Sequence, residues 1–113
     1  MDDILKAAQA LSDALKNSEI YKNYRKSHIG ILANPEVSRR IHDFKKKQTA
    51  YELKRLQNIP NSFEDERHIS HLYSELVLDE AAKNFINCED EFLTTYHKVM
   101  EILNEACNIE GHL

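Results

Sequence analysis

Residues 34–59, NPEVSRRIHDFKKKQTAYELKRLQNI, read as one long helix with a marked start, an apolar stripe and a basic back. Asn34 is a favourable N-cap, Pro35 suits the first helical position, where an amide hydrogen has no partner, and Glu36 complements the positive helix end. Val37, Ile41, Phe44, Gln48, Tyr51 and Ile59 recur at spacings of three, four or eight, so they share one side of a 3.6-residue helix. That side must be buried. The rest of the surface carries Arg39, Arg40, Lys45, Lys46, Lys47, Lys54 and Arg55, which stay solvated or meet an acidic partner.

Outward from this stretch, the chain of 113 residues fits one domain, 1–113, with room for a modest core. Two Gly, two Pro and 30% charged residues favour long helices over a turn-rich β fold. The start, Met-Asp-Asp-Ile-Leu-Lys, has neither the basic opening nor the apolar run of a signal peptide, and no apolar stretch approaches the ~20 residues needed to span a bilayer. A cytoplasmic protein with no membrane partner is expected.

Net charge is -4 but unevenly placed. Residues 1–34 hold five basic and four acidic groups, 35–60 seven and three, and 61–113 three and twelve. The basic middle and the acidic C-terminal half are suited to lying against each other, within a subunit or between two.

Ile4, Leu5, Ala7, Ala8, Leu11, Ala14 and Leu15 mark a first amphipathic helix ending near Asn17. Ser18 is a candidate N-cap for a second helix through Tyr21, Tyr24, His28, Ile31 and Leu32, with Gly30 weakening its last turn. After a loop around Asn58–Ser62, Ser62 and Asp65 form a variant capping box for a fourth helix whose inner face is Ile69, Leu72, Tyr73 and Leu76. At Leu78-Asp79 the apolar register shifts. Asp79 then caps a fifth helix, to about 108, carrying Phe85, Cys88, Phe92, Tyr96, Val99, Leu103 and Ala106.

Few residues suggest chemistry. His68, His71 and Glu75 share a flank of the fourth helix, but on its solvated side, with no second ligand cluster. Cys88 lies in the apolar row beside Glu89, Asp90 and Glu91, and about 28 Å of helix separate it from Cys107, too far for a disulfide. There is no Gly-rich phosphate loop, no GxSxG and no CxxC. No enzyme is indicated, and no metal or cofactor. The row Arg40, Lys47 and Lys54 could lie along nucleic-acid phosphates, yet the net charge is negative and no aromatic residue is interleaved for base stacking, so nucleic acid is disfavoured.

Several short segments nonetheless carry a likeness. Leu32-Ala-Asn-Pro-Glu-Val37 and Ile41-His-Asp-Phe-Lys-Lys-Lys-Gln48 resemble the "NPE…, DFxxxQ" segment of the YlbF/YmcA/YheA family of small helical bacterial proteins. Leu15-Lys-Asn-Ser-Glu-Ile-Tyr-Lys-Asn-Tyr24 resembles its "LxxSxEYxxY" segment, and Glu89-Asp-Glu-Phe92 falls where the last helix has "E…F". The Phe-x-x-x-Gln spacing is most similar to the YheA branch. The resemblance implies an all-helical, dimer-forming or higher-order protein without catalytic activity. It also implies a regulatory or adaptor role linked to competence, sporulation, biofilm formation or RNA processing through an endoribonuclease partner. Some members pair a Cys-bearing tail with iron–sulfur binding. This chain, ending Glu110-Gly-His-Leu113 with Cys107 nearby, does not support carrying that cofactor over.

The expectation is therefore an all-α bundle built on two long antiparallel helices, 35–57 and about 80–108, with the shorter helices packed around them. Val37, Ile41, Phe44, Tyr51, Phe85, Phe92, Tyr96 and Val99 are its candidate core or interface residues, and Arg40, Lys47 and Lys54 a candidate basic partner face. It should form a homodimer or larger homo-oligomer and dock another protein, for which an RNA-processing complex is one candidate. The rivals are a nucleic-acid binder using the basic row and a metal or redox sensor using His68, His71 and Cys107.

Overall fold

Local signals start and stop five helices, and among the described residues there is no strand. The structure is a computed structural model and describes residues 2–107. Helix α1 is Asp2–Lys16, α2 Glu19–Leu32, α3 Pro35–Leu56, α4 Phe63–Leu76 and α5 Glu80–Cys107. The fold is all-α, with α3 and α5 its longest members at 22 and 28 residues. The expected last residue of α5, Asn108, and the C-terminal Glu110–Leu113 lie outside the described residues.

The turns are built by side chains that satisfy the orphan groups of helix ends. Ser18 serves two helices, donating its hydroxyl to the Leu15 carbonyl at 2.6 Å and accepting the Tyr21 N–H at 3.3 Å. Asn34 Oδ1 accepts the Val37 N–H at 3.2 Å, with Pro35 beginning α3. Ser62 and Asp65 complete a reciprocal capping box, and Asp79 Oδ1 accepts the Ala82 N–H at 2.9 Å to start α5.

Helix α3 stops sooner than its apolar spacing suggests. Asn58 adopts a left-handed conformation (φ 58°), the Asn58 N–H donates to the Arg55 carbonyl at 3.2 Å and the Ile59 N–H to the Lys54 carbonyl at 2.8 Å. This is the Schellman arrangement, with Asn in the position glycine usually takes. Ile59, expected in the buried stripe, therefore sits beyond the helix and is exposed, because the chain reverses before the next turn of the stripe can form.

The chain divides into two units. One runs from Ser27 to Phe85. Its core is Ile31, Val37, Ile41, Phe44, Leu76, Ala82 and Phe85, with Ile41 only 3% and Phe44 5% exposed. Helix α4 runs antiparallel along α3: Phe44 meets Tyr73 (5.8 Å between centroids), Tyr51 meets Glu66 and Lys54 meets Asp65. At the start of α5, Phe85 lies under the Lys45 ammonium and beside His28, 5.7 Å from each. Ser38 Oγ donates to the Ile31 carbonyl at 2.8 Å and fixes the α2–α3 turn.

The other unit comprises the chain up to Lys26 together with the residues from Ile86 onward. Its interior is aromatic. Phe92 stacks on Tyr24 (5.4 Å, 4°) and meets Tyr21 at 5.3 Å and Tyr96 at 6.3 Å. Leu11 and Leu15 of α1 line an open groove with Phe92 and Tyr96, and α1 has no buried residue.

Candidate docking surface

An amphipathic helix normally hides its apolar stripe, so a stripe left open marks a surface awaiting a partner. Helix α1 carries Ile4, Ala8, Leu11 and Leu15 at spacings of four, three and four, and Ile4 remains 69% exposed. Facing it in the same unit, α5 contributes Phe92, Tyr96, Val99 and Leu103, again at four, three and four. Phe92 and Val99 are half-buried, whereas Leu103 is 45% exposed. Between the two helices runs an open, mainly apolar groove of about 410 Å³, whose walls include Leu11, Leu15, Tyr21, Phe92, Tyr96 and Met100.

Beside the main row on α5 lies a second one that sequence reasoning missed. Leu93, Tyr96, Met100 and Leu103 follow one another at three, four and three, the spacing of a coiled-coil seam, and all four are exposed. Leu93 and Met100, seven residues apart, were the available signal.

The candidate core and interface residues separate by unit. Val37, Ile41, Phe44 and Phe85 are buried in the first, with Tyr51 half-buried on its flank. Phe92, Tyr96 and Val99 gather at the groove of the second.

The basic row is mostly neutralised by near neighbours. Arg40 pairs with Glu36 at 3.2 Å, Arg39 with Asp43 at 3.5 Å, Arg55 with Glu52 at 2.9 Å and Lys54 with Asp65 at 3.4 Å. Lys47 and Lys54 line a polar cleft of about 420 Å³ between α3 and α4, with Asp65 and His68 opposite them. There the hydroxyl and N–H of Ser62, and then the Lys54 ammonium, hold the Asp65 carboxyl below the usual carboxylate range. The hydrogen bond that Tyr51 donates to Glu66 at 3.2 Å, reinforced by the charge of Glu66, raises the Tyr51 phenol above its ordinary value. Such a cleft is internally matched in charge and presents no stripe of free cations.

His71 Nε2 lies 2.9 Å from Glu75 on the exposed flank of α4. Among the described residues no three His, Cys, Asp or Glu side chains come together to hold a metal ion. Cys88 is half-buried and Cys107 exposed. No helix among the described residues is long and apolar enough to cross a membrane.

Comparison with known proteins places this arrangement among relatives. Residues 4–108 match the family described as "Control of competence regulator ComK, YlbF/YmcA". A UPF0342 protein of Symbiobacterium thermophilum is 27% identical over 103 residues, covering 91% of this chain and 92% of the relative. Another, of Caldicellulosiruptor saccharolyticus, is 25% identical over 113 residues, covering 100% and 94%. Among solved structures, a chain from the crystal structure of Bacillus subtilis RicA in complex with RicF is similar over 94% of each chain, with a TM-score of 0.57 and 25% identity.

Proposed function

From its place in the Com_YlbF family, to which this chain belongs over almost its whole length, we propose that it is a regulatory adaptor that works by helix-to-helix contact and carries out no chemistry. The observation that carries this reading is the open apolar groove of α1 and α5, a surface of the kind that receives amphipathic helices. The crystallised relative is a protein held in a complex with a second protein, which supports the same mode of action here. We read the protein as a cytoplasmic homodimer or larger homo-oligomer that docks a further protein, with control of competence, sporulation, biofilm formation or RNA processing as its setting.

The test is affinity capture of the full chain from its host's cytoplasm, set beside a variant in which Leu11 and Met100 are both replaced by Ser. A specific protein in stoichiometric amount, lost with the variant, is the expected result. Capture of nothing stoichiometric, or of nucleic acid that survives the double substitution, would overturn the adaptor reading.

A further inference from the structure

Helix α3 carries two rows of side chains. Val37, Ile41, Phe44, Gln48 and Tyr51, at spacings of four, three, four and three, form the inner row, which meets α4 through Phe44 and Tyr51. On the far side of the helix Arg39, His42, Lys46, Thr49, Leu53 and Leu56 follow at three, four, three, four and three, and every one is exposed. That alternation, kept up over about 26 Å of helix, is the spacing that a second helix can follow.

The outward row changes character along its length. Its first half is cationic: Arg39 pairs with Asp43 on its own helix, and among the described residues Lys46 pairs with no carboxylate. Its second half is apolar, with Leu53 52% and Leu56 72% exposed. These two leucines line an open groove of about 540 Å³ together with Gln48, Thr49 and Glu52. Aliphatic side chains left open in one row mark a face that a partner covers.

The charge pattern selects the occupant. A bilayer takes an apolar stripe that runs the length of a helix with cations on its flanks, whereas here cations and leucines succeed one another along a single line. Nucleic acid would find phosphate contacts in the first half alone and no aromatic platform anywhere in the row. A helix with carboxylates along one half and leucine-type side chains along the other matches both halves.

We propose that the outward face of α3 is a second docking surface, and that its occupant is an acidic amphipathic helix of a partner protein. Its carboxylates lie beside Arg39 and Lys46, and its apolar residues rest on Leu53 and Leu56. This goes beyond the adaptor reading, adding a surface in the Ser27–Phe85 unit to the groove of α1 and α5 in the other.

Photo-crosslinking in the host tests it. With p-benzoylphenylalanine at position 49, the full chain should capture one segment of another protein, and mass spectrometry of the cross-linked peptide should show carboxylates and aliphatic residues at helical spacing. That segment, made as a synthetic peptide, should bind the purified full chain with an affinity that falls with added salt. Leu53→Asp should weaken it at least ~30-fold, as expected for a central apolar contact, and Lys46→Glu about fivefold. Replacing the peptide's acidic residues by Lys should restore binding to the Lys46→Glu chain. Both positions are exposed, so both variants should melt as wild type does.

Cross-links to lipid, to nucleic acid, to a second copy of this chain or to a segment without carboxylates would overturn the assignment. So would scattered cross-links, none at all, or peptide binding that Leu53→Asp leaves unchanged. If the Leu11 and Met100 double variant loses a captured protein while position 49 cross-links nothing, the adaptor reading stands and the second surface falls. If position 49 cross-links such a segment while nothing is captured through the groove, the second surface stands without it.

Discussion

Lys54 on α3 and Asp65 on α4 are joined at 3.4 Å through the same carboxylate oxygen, Oδ2, that accepts the Ser62 N–H. One carboxylate thus caps a helix and ties two helices together. Because its hydrogen bonds hold the Asp65 carboxyl below the usual carboxylate range, the charged form is favoured in the fold. The stability it contributes is therefore complete above the ordinary carboxylate pKa and is lost as pH falls through the lower folded-state value. In urea melts followed from neutral pH into acid, Asp65→Asn should be less stable than wild type at pH 7 and lose less on acidification. Parallel curves for the two proteins would show that this carboxylate is not coupled to folding.

Asn58 holds the left-handed turn that ends α3. Glycine pays no side-chain penalty there, whereas a β-branched residue is strained by about 1–2 kcal/mol. Asn58→Gly should melt at or slightly above wild type, and Asn58→Val below it by about that amount. Equal melting of the two variants would mean that the turn changes conformation to suit its residue.

Gly30 sits inside α2, exposed, with nothing within 4 Å of the position a Cβ would occupy. Alanine at an open helical site restricts the unfolded chain and shields the backbone, a gain of about 0.5–1 kcal/mol. Gly30→Ala should raise the urea midpoint accordingly. A lowered midpoint would indicate that another molecule approaches the backbone at this point.

The behaviour of these turns explains which parts of the structure were legible in the sequence. Ser18, Asn34, Ser62 and Asp79 act on amides within three residues of themselves, so their helix starts follow from local chemistry. Spacing likewise shows that α3 has an inner face, and Val37, Ile41 and Phe44 occupy it. Spacing cannot show which helix covers that face. The antiparallel lie of α4 on α3 depends on contacts between residues more than ten apart, such as Tyr51 with Glu66. Nor does it measure depth: Phe85 and Leu103 hold equivalent places in the α5 row, yet one is 4% and the other 45% exposed. Leu93 and Met100 were missed for a related reason, since apolar residues adjoining a row look like part of its buried width until their exposure is known.

Phe44 fills the middle of the Ser27–Phe85 unit against Tyr73. Truncating a buried Phe leaves a cavity and costs about 3–5 kcal/mol, and an unpaired buried charge costs at least as much. Phe44→Ala should remain helical with a much lower melting temperature, and Phe44→Asp should be largely unfolded at 25 °C. Native-like melting of Phe44→Asp would place the inner face of α3 elsewhere.

Phe92 tests the other unit, where packing is aromatic and less enclosed. Its ring meets Tyr21, Tyr24 and Tyr96 at 5.3–6.3 Å, while the residue itself stays half-buried. Leucine retains much of the buried area but removes the ring-to-ring attraction, worth about 0.5–1.5 kcal/mol for each well-placed pair. Phe92→Leu should therefore cost about 1–3 kcal/mol, and because Phe92 lies inside the groove, it should also weaken association as the floor beneath Tyr96 shifts. Tyr96→Leu, which removes one of those pairs at a 42% exposed position, should cost less stability on its own. Melting measured at low and high protein concentration separates the two effects. A Phe92→Leu loss that is the same at both concentrations belongs to packing within the chain, and one that shrinks on dilution belongs to the interface.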